Sequence, residues 1–457
     1  MKCHSLIRRC LLALGAAGAT LGAGVSVAAA ADYVPGEVVV GYRSVPFSGV
    51  AANRLGIRSV ATSPLPGEQV VKLAPGVSVG AAIRRLRGHS GIAYAAPDYL
   101  AHEAGSSSGG RGGLLPTGGW WARQWNFHRA VGVNASEAWA NLVADGRPGG
   151  RGVVVAILDT GVAYRDWQRF RISPAFVGTR FVAPYDFIAG NRYPLDRLGH
   201  GTFIAGTIAD ATDNGAGLAG LAYGASIMPV RVLDDTGAGD AITIARGIRY
   251  AVLHGAQVIN LSLEFDMTVT AGDIPDVIAA ISFAHRHGVV VVAPAGNDSA
   301  PRLAYPARVR GAISVGATTL DRCLADYSNT SPALDLVAPG GGDDADLADR
   351  SCDPARNLPD IMQMTFLSPL NPARFGLPAG WYGTSMACPH VAAAAALVIA
   401  SGVLGPHPSP DQILERLEQT AQPLGGAVPN PDYGYGLLDA GAATARTAAS
   451  AGPRGAR

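Results

Sequence analysis

The sequence predicts an α/β fold: a doubly wound, mostly parallel sheet with helices on both faces, preceded by a small α+β domain. Three observations predict it. The unbroken apolar runs Val153 to Leu158 and Val289 to Val292, rich in β-branched residues, are the pattern of strands covered on both faces. Segments of helical period alternate with such runs, which calls for parallel strands joined by crossover helices. Finally, Gly383 to Val391 leads into the apolar run Ala392 to Ala400, a helix without a polar face that has to be buried.

Residues 1–31 read as an export signal. Lys2, Arg8 and Arg9 form a charged start, Leu11 to Val27 an apolar stretch, and Ala28 to Ala31 a small-residue cleavage pattern. An uncleaved membrane anchor is the competing reading, and the alanine and glycine content together with the cleavage pattern favours the signal. Residues 32–103 form the small domain, with strands at Val38 to Tyr42, Val70 to Leu73 and Ile92 to Ala95. Its helix runs from Val79 to Leu86 and carries Ile83 and Leu86 on one side. Residues 104–119 begin with a glycine- and serine-rich run that buries too little surface to order itself, so a flexible linker open to processing is expected.

The large domain spans residues 120–446. Strands are predicted at Val153 to Asp159, Ile227 to Leu233, Gln257 to Leu263, Val289 to Asn297, Ala312 to Ala317 and Leu334 to Ala338, with helices at Ile242 to Leu253 and Ile274 to His287. Residues 447–457 are small and polar, and a disordered tail is expected. The chain is 48% hydrophobic with 59 glycines among 457 residues, enough for a large, tightly packed core. Its 36 basic and 35 acidic residues leave nothing to draw it to nucleic acid or anionic membrane.

The chemistry starts at Ser385, set between small residues at the mouth of the buried helix. A serine hydroxyl is a poor nucleophile unless a base takes its proton, so a histidine and a carboxylate are required elsewhere. Asp159 ends a predicted parallel strand, where open α/β sheets carry their sites. His200 lies between Gly199 and Gly201, which leaves it free for solvent, and Asn297 ends another strand with an amide suited to a developing oxyanion. Singly these residues read as a turn aspartate, a loop histidine, an Asx turn and a helix N-cap. Together they stand in order, 41 and 185 residues separating the three triad candidates.

Over roughly Gln124 to Ala445 these motifs resemble the subtilisin-like serine proteases, whose triad runs in the order Asp, His, Ser. The resemblance implies a subtilisin-like fold and a secreted serine endopeptidase working through an acyl-enzyme. Asp159 would orient the imidazole, His200 act as base and then acid, Ser385 attack, and Asn297 with the Ser385 N–H form the oxyanion hole. Ser262, Leu263, Glu264, Ala295 and Gly296 would bind substrate. The domain at 32–103 resembles, in position, the propeptide of secreted subtilases, which implies a self-processed zymogen with its propeptide as intramolecular inhibitor. Polypeptide substrates are expected, with no nucleic acid, no cofactor required for chemistry and a monomeric enzyme.

Departures from the family pattern carry their own expectations. Phe203 stands where a second histidine is common, and Glu264 where glycine is typical, which opens substrate preference, including a preference for basic side chains. Asp213-Asn214-Gly215-Ala216-Gly217 occupies the place of a family calcium loop, and Asp343, Asp344 and Asp346 are a second acidic run, so structural calcium stays possible with no ligands assigned. Cys3 and Cys10 leave with the signal. Export permits a disulfide, Cys323 with Cys352, and Cys388 reads as a buried apolar residue rather than a second nucleophile. Two other function classes compete. A serine esterase would show Gly-x-Ser-x-Gly and the triad order Ser, Asp, His, and a non-catalytic homologue acting as a binding protein would have lost a catalytic residue.

Overall fold

Parallel pairing builds the largest of the four sheets among the described residues. The computed structural model describes residues 32–43, 57–62, 67–107, 119–212, 218–347 and 351–446. The export signal, most of the linker, the Asp213 to Gly217 loop and the tail lie outside the described residues.

In the small domain, β1 (Tyr33–Tyr42), β2 (Ile57–Thr62), β3 (Glu68–Leu73) and β4 (Ile92–Glu103) form an antiparallel sheet in the order β2-β3-β1-β4, and α1 (Val79–Arg87) packs on one face. Side chains alternate across a strand, so Val38, Val40 and Val71 join Ile83 and Leu86 of α1 in one core. Val39 and Val70 point the other way and pack against Ile242 of the large domain. Strand β4 runs well past the predicted Ala95. After a two-residue β5 (Ser106–Ser107), the large domain opens with α2 (Trp120–Arg123) and α3 (Ala135–Ala144).

The central sheet uses β6 (Val154–Asp159), β7 (Arg180–Phe181), β8 (Tyr185–Asp186), β9 (Ser226–Arg231), β11 (Val258–Asn260), β13 (Val290–Pro294), β14 (Ala312–Thr318) and β15 (Leu336–Pro339), in the order β15-β14-β13-β11-β6-β9-β7 with β8 also on β9. Every pairing in it is parallel. One face carries α4 (His200–Ala209) and α7 (Thr384–Ser401), the other α5 (Ala241–Leu253) and α6 (Pro275–Arg286). Helix α7 is long and apolar enough to cross a membrane, yet 89% of it is buried inside the protein, so it is a core helix. Short strands β16 (Thr365–Phe366), β17 (Phe375–Gly376) and β18 (Trp381–Tyr382), then α8 (Pro410–Thr420) and α9 (Ala440–Thr444), complete the order.

One predicted strand proves to be two. Gln257 to Leu263 splits into β11, in the central sheet, and β12 (Leu263–Phe265), which leaves that sheet and pairs antiparallel with β4. Strand β10 (Ala238–Asp240) pairs with β4 from the other side. The end of β4 is thus held between two strands of the large domain. The predicted linker also begins later than expected, because Ala104 is fully buried and Ser106–Ser107 pairs with β18.

Where the domains meet, carboxyl groups face one another. Asp98 on β4 is held well above its ordinary value by burial and by Asp240 and Asp276. Asp276, in the first turn of α6, is pushed up to about 7 by burial and by Glu68 of β3, and both its carboxyl oxygens are buried without hydrogen-bond partners. A carboxyl with a higher pKa in the docked form holds its proton more tightly there. Docking is therefore strongest in acid, weakens as pH climbs from 3.8 towards 7, and loses the whole contribution above about 7. Hydrogen exchange of β1 and β3 in a Ser385→Ala precursor, corrected for intrinsic rates, should be at least severalfold slower at pH 5.5 than at pH 8. Asp276→Asn should shrink that difference, since each pH unit in the window is worth up to about tenfold per group.

Candidate active site

Three elements of the central layer converge at the carboxyl ends of the strands. Asp159 ends β6, and its Oδ1 accepts from the Thr160 N–H at 2.7 Å. His200 opens α4, with Nδ1 2.8 Å from Asp159 Oδ1 and 3.0 Å from Oδ2. The approach is close enough to demand glycine at 201, where a Cβ would lie 2.1 Å from the Gly161 carbonyl oxygen. Ser385 lies in the first turn of α7, where backbone N–H groups have no partner within the helix.

The loop before His200 is built on Asp196, which the sequence reading passed over. Its Oδ1 accepts from Thr160 Oγ1 and from the Leu198 and Gly199 N–H groups, and its Oδ2 from Thr202 N–H and Oγ1, at 2.6–3.0 Å. A legible signal existed: a short-chain carboxylate four residues before the first helical residue is well placed to satisfy the N–H groups of a helix start.

His200 is not free for solvent as expected but 1% exposed. Glu103 of β4 brings Oε2 to 3.9 Å from His200 Nδ1, and the ring of Trp381 lies 6.1 Å away, itself stacked on Phe203 at 4.7 Å. Burial by itself lowers the imidazole pKa, but the facing carboxylates of Asp159 and Glu103 outweigh it and raise it to about 9. Burial in turn raises the Glu103 carboxyl. With the strand in place these surroundings favour the protonated imidazole.

The serine is not yet engaged by that histidine. Ser385 Oγ donates to the Ser262 carbonyl at 3.0 Å, and the buried His200 Nε2 has no hydrogen-bond partner. The Ser385 N–H donates to the carbonyl oxygen of Ala104 at 2.8 Å, and the Ala104 N–H to the Ser262 carbonyl at 3.4 Å. Glu103 and Ala104, assigned by sequence to the end of a domain and the start of a linker, thus occupy the site.

The other expected residues gather around that strand. Leu263, Glu264 and Phe265 pair with Glu103, His102 and Ala101, and Ser262 Oγ donates to the Ser385 carbonyl at 3.0 Å. Ala295 and Gly296 form the turn after β13, where Gly296 has φ +111° and its carbonyl accepts from the Asn329 N–H at 3.0 Å. Asn297 Oδ1 accepts from Thr384 N–H and Oγ1 at 2.8 and 3.0 Å, while its Nδ2, expected to face an oxyanion, donates to Glu264 Oε1 at 3.2 Å. Burial and nearby Asp298 push the Glu264 carboxyl up to about 7.

Cys323 and Cys352 are joined, with Cα atoms 5.7 Å apart, and Cys388 is a buried thiol whose pKa burial drives far up, which removes it as a nucleophile. In the acidic run, Asp344 spends its carboxylate on Thr319 Oγ1 and the Asp353 N–H, and Asp343 accepts from the Leu358 N–H.

A buried Asp–His pair, a serine N–H at a helix start and an extended strand lying across them define a serine-type peptidase carrying its own N-terminal domain in the cleft. Comparison with known proteins agrees. The model of the subtilase family, peptidase S8, matches residues 150–436, and that of the fervidolysin N-terminal prodomain matches residues 21–98. A thermophilic serine proteinase of Bacillus sp. (strain AK1) is 30% identical over 406 residues, 88% of this chain and 86% of its own. Subtilisin Savinase of Lederbergia lenta is 36% identical over 295 residues, 65% of this chain and 91% of its own. Fervidolysin from Fervidobacterium pennivorans, a keratinolytic enzyme related to subtilisin, superposes with a TM-score of 0.67 at 25% identity. It covers 90% of this chain, which spans 61% of the fervidolysin chain. The chain belongs to the subtilase family, as a serine-type endopeptidase with an N-terminal prodomain.

The charge around His200 is testable in the Ser385→Ala precursor. The His200 ring should titrate near 9 by NMR, and Glu103→Gln should lower that value by about half a unit or more by removing one of the facing carboxylates. Titration near the ordinary histidine value in both proteins would contradict the arrangement.

Proposed function

We propose that this chain is a secreted serine endopeptidase made as a zymogen, residues 32–103 forming the prodomain and 120–446 the catalytic domain, and that it first cuts itself between Ala104 and Gly105. The observation that carries the reading is the double grip on Ala104, its carbonyl on the Ser385 N–H and its own N–H on the Ser262 carbonyl. A carbonyl held by a helix-start N–H is polarised where the oxyanion will form.

In this mechanism Ser385 Oγ leaves the Ser262 carbonyl and turns towards His200 Nε2. The imidazole must first lose its extra proton to solvent, which the raised pKa shifts towards basic pH. Ser385 Oγ then attacks the Ala104 carbonyl carbon as His200 takes the hydroxyl proton, and Asp159 holds the resulting imidazolium in place. Negative charge collects on the Ala104 oxygen, facing the Ser385 N–H and the second Nδ2 hydrogen of Asn297, whose first stays on Glu264. Collapse breaks the bond to the Gly105 nitrogen, which receives the proton from His200. Water repeats the sequence on the acyl-enzyme and frees the Ala104 carboxylate. The cut prodomain keeps its pairing with β10 and β12 and blocks the cleft until removed. The chemistry asks for no cofactor. Secretion is supported by the signal-like start and by the Cys323–Cys352 bridge.

Ser385→Ala should accumulate as the uncut precursor, whereas the wild type should yield a new N-terminus at Gly105 by mass measurement of the secreted protein, together with casein hydrolysis sensitive to a serine-directed inhibitor. A mature, active Ser385→Ala protein would refute the reading. Asn297→Ala should lose on the order of 10²–10³ in kcat with little change in KM, the range known for loss of one such donor in subtilisin. Unchanged turnover would remove Asn297 from the oxyanion hole.

A further inference from the structure

We propose that Glu264 closes the recess that receives the side chain of the residue before the cut, so that the enzyme accepts only alanine or glycine there. This deepens the protease reading above and rests on it. On the β4–β12 ladder Glu264 pairs with His102, two residues before Ala104, so the side chains of Glu264 and Ala104 leave the same face of the ladder, beside the Ala295 to Asn297 turn.

The glutamate side chain crosses that space. Its Oε1 accepts from Asn297 Nδ2 at 3.2 Å, and its Oε2 lies 2.9 Å from where a Cβ on Gly296 would stand. Behind Gly296 there is no further room, since the same Cβ would fall 2.1 Å from Asn329 Nδ2 and 2.9 Å from the Ala304 methyl. Oε2 is buried with no hydrogen-bond partner. Glu264 is committed inwards, to Asn297, and acts by filling volume. The residue the prodomain offers agrees, for Ala104 is fully buried and carries a single methyl group. A leucine or phenylalanine in its place would have to expel the glutamate and break its bond to Asn297, whereas alanine leaves both intact.

Packing limits of this kind discriminate by about 10- to 200-fold. The test uses the secreted, self-processed enzyme and acyl-tetrapeptide p-nitroanilides that differ only in the last residue: Ala, Leu, Phe or Lys. The wild type should favour Ala over Phe by about tenfold or more in kcat/KM. Glu264→Gly should cut that ratio by about tenfold or more, chiefly by lowering KM for Phe, while Glu264→Gln, of equal volume, keeps the preference. Should Glu264→Gly give no mature enzyme, the precursor itself carries the test. Ala104→Phe should stop cleavage after residue 104 and Ala104→Gly should allow it. The inference is overturned by equal use of Phe and Ala in the wild type, by a preference for Lys, by an unchanged ratio in Glu264→Gly, or by normal cleavage of Ala104→Phe. An active enzyme with the wrong preference removes this inference alone; a protein that hydrolyses none of the four removes the protease reading with it.

Discussion

One strand ties the molecule together. Half of β4 completes the antiparallel sheet of the prodomain, and its last residues lie between β10 and β12 of the catalytic domain. Main-chain hydrogen bonds on both sides leave this stretch no freedom of register, because a slip of one residue would turn every side chain to the opposite face. The carbonyl that reaches the Ser385 N–H is therefore set by pairing that begins some ten residues earlier, in a different domain. In the proposed self-cleavage the same pairing would keep the cleft occupied after the cut.

Charge adds a second layer of restraint. A buried imidazole would ordinarily be neutral, since low dielectric disfavours the charged form, yet two facing carboxylates reverse that preference around His200. One of them, Asp159, belongs to the central sheet; the other, Glu103, belongs to the strand that the proposed maturation would remove. Without that strand the field of Glu103 on His200 would be gone. The acidic groups between Asp98 and Asp276 work in the same sense, because they favour docking only while protonated.

Close packing explains why so many small residues surround the site. Helices α4 and α7 are buried along nearly their whole length, and glycine at 201 lets α4 start against the end of β6. In such surroundings one added side chain has large effects. Glu264 adds such a side chain next to the Ala295 to Asn297 turn, and in doing so touches both the shape of the site and the amide proposed to stabilise the transition state.

Much of this was legible from the chain alone. The buried parallel strands and both kinds of helix announce themselves through apolar runs and period, because a two-sided sheet leaves no polar alternative, and Asp159, His200, Asn297 and Ser385 stand in motifs whose local backbone requirements are visible as glycines and strand ends. What the sequence could not carry is long-range pairing. Local pattern joined Gln257 to Leu263 into one strand, and only the tertiary structure divides it, since β12 gains its partner from β4. The same cause buries Ala104 in a stretch whose composition reads as linker, covers a histidine that its flanking glycines would leave in water, and turns Glu264 towards Asn297 instead of solvent. Each of these outcomes depends on a neighbour remote in sequence, and composition and period report only on neighbours that are near.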